Sequence, residues 1–178
     1  SSDLFLTVIL IACSRPKNAS ISLPGPALQE ACNESITQVI VHDIFTPPVA
    51  SRIYAYSNLA FYEAHRIGSP ENRSLLPDLK GFETLNVPKD LASIDSRYAA
   101  VEASLQVAEA LIFSKDSLRK SRMYIESSFA DLSTDKRNAS KVWADSVSAL
   151  ILRRAATDNH RITRGMPRYS SFGETGKW

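Results

Sequence analysis

Cysteine is scarce in this 178-residue chain, which has two; that excludes a disulfide framework and a Cys-rich zinc site alike. Glycine is scarce too. Six glycines leave little for a phosphate-cradling loop, and neither G-x-G-x-x-G nor G-x-x-x-x-G-K occurs. The three histidines, His42, His65 and His160, share no H-x-x-x-H or H-E-x-x-H spacing, so they read as surface or packing residues rather than metal ligands. Neither sign of charge dominates. With 21 basic and 19 acidic side chains the net is +2, and no strong pull on nucleic acid or an anionic surface follows. What the chain does have is an apolar fraction of 44%, too high for a disordered segment and in keeping with about one domain's worth of chain.

The apolar residues first concentrate at the N-terminus. Leu4 to Ala12 (LFLTVILIA) is too short to span a bilayer, which needs about 20 residues. Its length is that of a signal-peptide h-region. Leu10-Ile11-Ala12-Cys13 then has the form of a bacterial lipobox, in which Cys13 is lipidated and becomes the mature N-terminus. Residues 1–13 are thus expected to be a lipoprotein signal peptide, and several acyl chains would anchor the product firmly. A short buried strand is the competing reading. Residues 14–26 (SRPKNASISLPGP), polar and with three prolines, read as a tether. Cys32 is expected to be an ordinary buried thiol, with a disulfide to Cys13 as the alternative.

Beyond Pro26 the pattern is helical. Leu28, Cys32, Ile36, Val39 and Ile40 share one face, and Thr46-Pro47-Pro48 ends that run. A second helix opens at Pro48 and is apolar nearly all round, as a central helix would be. Residues 67–92, punctuated by Gly and Pro, read as a long surface-wrapping loop. A third helix starts near Ser93 or Asp95 and runs to Phe113. A fourth is capped by Asp116 or Ser117, and a fifth by Ser133 or Thr134, ending near Thr157. No convincing strand appears. The expectation is an all-α fold of about five helices, an incomplete helical bundle.

Helical angles also locate polar residues on apolar faces. With Leu28 at the origin, Asp43 falls at about 60°, inside the first stripe. Arg52 and Glu63 fall on the edge of the second. A buried carboxylate needs a partner, so Asp43, Arg52 and Glu63 read as a structural polar cluster, with Arg52 pairing Asp43 or Glu63, or with Tyr hydroxyls as the partners. A catalytic acid/base pair is the functional version, but the spacing supplies no nucleophile. Residues 153–178 carry six basic and two acidic groups; Arg153 and Arg154 complement a helix dipole there. No nucleic-acid reader motif accompanies them. Four N-x-S sequons, at Asn18, Asn33, Asn72 and Asn138, are discounted as chance matches.

Three stretches together resemble a known family: Val39 to Arg52 (VIVHDIFTPPVASR) continuing as IYAYSNLAFYEA, Trp143 to Thr157 followed by DNHRITR, and Gly176-Lys177-Trp178. They look like the N-terminal helical half of bacterial vanadium-dependent haloperoxidase-like lipoproteins, in the superfamily shared with type-2 phosphatidic acid phosphatases. The resemblance covers residues 28–178. It implies an all-helical enzyme that oxidises halide with hydrogen peroxide using vanadate, or hydrolyses phosphate monoesters. Its oxyanion site is built from a Lys with Arg-Pro seven residues on, a Pro-Ser-Gly-His run, and a Ser-Arg run followed by His. Here the only Arg-Pro is Arg15-Pro16, without that Lys, and Ser-Gly-His is absent. No catalytic residue carries over. Residues 27–178 are therefore expected to be the scaffold part, truncated before a catalytic half that would be its partner. The parent would bind vanadate, this chain neither vanadate nor a metal, and the whole would be exported and membrane-anchored through Cys13. A complete small helical lipoprotein that serves as an envelope binding module is the other class.

Overall fold

The computed structural model describes residues 23–69, 71–167, 173, 175 and 176. The expected signal peptide with Cys13, most of the tether, and Lys177 and Trp178 lie outside these residues. Among the described residues there are α-helices and 3-10 turns and no strand. The helices are α1 (Gly25–His42), α2 (Pro47–His65), α3 (Ser96–Leu111), α4 (Lys115–Glu126), α5 (Thr134–Ala156) and α6 (His160–Arg164). None is long and apolar enough to cross a membrane.

Local chemistry sets most boundaries. Pro26 sits in the first turn of α1 and Pro47-Pro48 in that of α2, where a missing N–H costs nothing. The end of α1 comes at His42, five residues before Pro47, because Ile44 enters the left-handed region with φ 52°. Asp95 caps α3, its carboxylate accepting from the N–H groups of Arg97 and Tyr98. Ser133 caps α5 through Lys136 N–H. The fourth helix corrects the expectation, since it starts at Lys115 with Ser114 before it, not at Asp116 or Ser117. Ser114 turns its hydroxyl toward Asp43 instead of capping its own helix. Helix α6 was not anticipated: Asn159, at φ 64°, redirects the chain into one further turn too short to show a periodicity.

The central helix is α3, not α2. Every residue from Tyr98 to Leu105 is buried, and Ala99, Ala100, Ala103 and Ala108 let neighbouring helices approach closely. Helix α2 packs along α3 and α5 packs on both, while α1 and α4 close the other side. Two contacts fix one end of the bundle: Trp143 donates from Nε1 to Ala64 O at 3.1 Å, and Asp95 N–H donates to Ser140 Oγ at 2.8 Å. At the opposite end the α1–α2 turn, the α3–α4 turn and the C-terminus of α5 converge. The long segment 71–94 wraps the outside, pinned by Tyr62 to Arg73 O and by Arg154 to Lys80 O. Some large apolar side chains stay in water, with Ile44 87% and Phe113 77% exposed.

Candidate functional site

The three residues singled out by helical angle do turn inward, but they do not meet. Each has its own partners. Asp43 follows the last turn of α1, and its carboxylate accepts from Phe113 N–H and Ser114 N–H at 3.0 Å each, from the Ser114 hydroxyl and from His42 Nδ1 at 3.2 Å. Burial alone would push this carboxyl up; the Ser114, His42 and Phe113 hydrogen bonds outweigh it and bring the pKa to about 2. The bonds lock the α1–α2 turn to the α3–α4 turn, where Phe45 and Phe113 pack with ring centroids 4.9 Å apart.

Arg52 reaches past the expected carboxylates to Asp158, beyond the end of α5. Its Nε donates to Asp158 Oδ2 at 2.6 Å and its Nη2 to Ala155 O at 2.7 Å. The same carboxylate accepts from Tyr56 OH at 3.0 Å and from His160 N–H at 3.0 Å. Burial raises the Asp158 carboxyl, but Arg52, His160 N–H and Tyr56 together hold it below the usual range. Tyr56 moves the other way, raised by burial and by the Asp158 charge beside it.

Glu63 is completely buried. It accepts from Arg66 Nε at 2.6 Å, from Ser74 Oγ at 2.9 Å and from Leu75 N–H at 2.8 Å, so it fastens the start of the long loop to α2. The expected pairings of Arg52 with Asp43 or Glu63 are thus replaced by three separate braces. The physical reason is distance along the helix: Arg52 and Glu63 lie eleven residues apart in α2, about 16 Å of rise.

A fourth buried carboxylate escaped the sequence reading. Glu102, on α3, accepts from Arg122 Nη2 at 2.7 Å, and Arg122 also faces Glu109 and Glu126. Burial holds the Glu102 carboxyl up despite Arg122. Glu102 lies four residues after Tyr98, about 40° round the helix, so the same reckoning of angles could have found it.

Asp43 and Arg52 do share the wall of one small cavity, of about 190 Å³, with Val49, Phe113, His160 and Arg164. Among the described residues no group of three or more His, Cys, Asp or Glu is arranged around a metal position. The Cys32 thiol, 1% exposed, is pushed up to about 12 chiefly by burial, which leaves it unreactive.

No family model matches the sequence, and no curated protein does. Among solved structures, a bacterial vanadium-dependent iodoperoxidase superposes with a TM-score of 0.73 and 32% identity over 80% of this chain. The fold is haloperoxidase-like. The chain spans 35% of that iodoperoxidase's length. An oxyanion such as vanadate needs several cationic donors converging on one position, and four of the described guanidiniums are already held by carboxylates. Arg52, Arg66 and Arg122 are each engaged by a carboxylate at 2.6–2.7 Å. Arg153, at the end of α5, is tied to Glu83 at 3.0 Å.

Proposed function

We propose that this chain is the N-terminal scaffold portion of an exported, lipid-anchored vanadium-dependent haloperoxidase-like enzyme. Halide oxidation by hydrogen peroxide, with vanadate as cofactor, belongs to a further part of the same polypeptide, and Cys13 carries the lipid. The observation that supports this most is the unequal coverage: 80% of this chain aligns with only 35% of a bacterial vanadium-dependent iodoperoxidase, at 32% identity. The buried carboxylates and guanidiniums described above agree with a supporting role, because they bind one another. Phosphate-ester hydrolysis is the other chemistry open to this superfamily, and the iodoperoxidase favours the peroxidase branch.

The test compares the 178-residue chain with the longer polypeptide that the reading requires, each given vanadate, hydrogen peroxide and iodide, with triiodide followed by absorbance. The expected result is no turnover above the vanadate blank for the 178-residue chain and sustained turnover for the longer one. Iodide oxidation by the shorter chain would overturn the proposal. A longer polypeptide that hydrolyses a phosphate monoester and leaves iodide untouched would move it to the phosphatase branch.

A further inference from the structure

Helix α4 is held to the bundle by little apolar surface. Of its twelve residues only Leu118 and Ile125 are buried, and the 3-10 turn that follows adds Phe129. An element with so few buried side chains opens locally at a small fraction of the cost of global unfolding. The rest of its hold is ionic and centres on Arg122. The Nη2 of Arg122 donates to Glu102 Oε2 on α3 at 2.7 Å. Its Nη1 lies 3.6 Å from Glu109 Oε2 on α3, and its Nε lies 3.3 Å from Glu126 Oε1 on α4 itself. Three carboxyls thus converge on one guanidinium. Arg119 answers Glu109 and Asp116, so Arg122 is left with Glu102 and Glu126.

The arrangement is flawed when every carboxyl is ionised. Glu102 is 3% exposed, and its Oε1 is buried with no hydrogen-bond partner; neither does the buried Nε of Arg122 have one. A carboxylate oxygen out of water with nothing donating to it is costly. Glu126, within hydrogen-bond reach of Glu102, sets a second negative charge against it. The other elements around Glu102 do little to relieve this. From α5, Lys141 favours its charge more weakly than Arg122 does, and Arg137 stands over the Tyr98 ring at 4.8 Å. From α1 the neighbour is the Cys32 thiol, and on α3 it is the Tyr98 phenol. One proton removes both faults, since a carboxylic acid at Glu102 can donate to the Glu126 carboxylate and leaves Arg122 facing a single charge.

We infer that Glu102 and Glu126 share one proton, that this proton clasps the C-terminal half of α4 to α3, and that its loss releases α4 while the rest of the bundle stays folded. The sign follows from burial, which together with Glu126 holds the Glu102 carboxyl above its ordinary 4.5 against the pull of Arg122. Release lets water reach Glu102 and returns it to the ordinary value. The clasp is therefore complete below pH 4.5 and weakens as pH rises through the raised folded value. Between the two values, release grows by up to about tenfold per pH unit, the limit for one proton.

Hydrogen exchange of the 178-residue chain, read by mass spectrometry from pH 4.5 to about pH 8 and corrected for intrinsic exchange rates, tests this. Protection of residues 115–126 is expected to fall by about tenfold or more over that range, while residues 134–156 keep theirs. Glu102→Gln retains a donor at every pH and should hold 115–126 protected throughout. Glu126→Gln, at the less buried partner, supplies a donor to the Glu102 carboxylate and should flatten the profile as well. A parent chain whose 115–126 protection is independent of pH would overturn the proposal, and so would a profile that survives both substitutions. Equal loss in 134–156 would mean global unfolding and would overturn it too. Cys32 gives a second measurement, because it lies among the same groups. With Cys13→Ser in the background, its maleimide alkylation is compared between the parent and Glu102→Gln at each pH, so that thiol ionisation cancels. The parent should react about tenfold faster at about pH 8, and the two rates should converge as pH is lowered. Rates that match throughout would show that α4 stays in place when the proton leaves.

Discussion

Glu63 shows how much one buried side chain holds in this protein. It sits at the α2 end of the long loop, fully out of water, with Arg66, Ser74 and Leu75 N–H all donating to it. Removing it strands a guanidinium and two further donors, and breaking a buried pair in this way costs about 3–5 kcal/mol. Glu63→Ala is expected to lose that much stability in urea unfolding, while Glu63→Gln, which keeps one acceptor oxygen, loses less. A loss below about 1 kcal/mol, the value of an ordinary hydrogen bond, would mean that the loop re-forms its contacts elsewhere. The angle of Glu63 on its helix was legible in the sequence. Its partners were partly so: Arg66 is three residues away and Ser74 eleven. The partners of Arg52 and Asp43 were not. Asp158 lies 106 residues from Arg52 and Ser114 lies 71 from Asp43, and periodicity carries no information over such separations. It reports which way a residue points, never what it will find there.

Helices with a strong start signal and a long apolar stripe were readable, and their caps can be tested. Asp95 accepts from Arg97 N–H at 3.1 Å and Tyr98 N–H at 3.0 Å, two donors that the first turn of α3 would otherwise leave unmet. Asp95→Ala is expected to cost about 1 kcal/mol, and Asp95→Asn, itself a good cap, only a few tenths. Thermal unfolding of the two variants checks this; equal losses would show that Asp95 acts through its ion pair with Arg97 and not as a cap. The elements that were misread share a cause. Asp116 or Ser117 is the cap that the sequence suggests for α4, but the helix starts after Ser114, whose hydroxyl serves Asp43, a tertiary contact that overrides the local signal. Helix α2 looked central because aromatics surround it, whereas α3 is central because its alanines are small. Side-chain bulk marks an apolar face, and small residues mark where two helices come closest; only the packed structure shows which of these governs. Tyr54, Tyr56 and Leu59 of α2 are left half-buried.

At the scale of the molecule, Asp43, Asp95 and Asp158 tie together parts of the chain that no helix connects, and all three carboxyls are held below their usual range. Asp43 joins the two turns at one end of the bundle, Asp95 starts the central helix, and Asp158 holds the end of α5 to α2. In each, burial works against the charge and hydrogen bonds to the carboxylate outweigh it. A folded-state pKa below the unfolded one adds stability that is complete above the unfolded value and lost as pH falls through the folded value. For Asp43 that window runs from 3.8 down to about 2. Glu102 has the opposite sign: its raised carboxyl makes stability fall as pH rises above its ordinary value of 4.5, so mild acid relieves one strain before it breaks three braces. The urea midpoint is therefore expected to hold or rise slightly as pH is lowered toward 4.5 and to drop steeply below 3.8. Asp43→Asn isolates one contribution. The variant should be less stable than the parent chain at pH 6, and the difference should shrink as pH falls from 3.8 toward about 2, where the parent carboxyl takes up its proton. A difference that stays constant down to pH 2 would mean that the Ser114 and Phe113 donors bind either form equally. The charge at Asp43 would then play no part in joining the two turns.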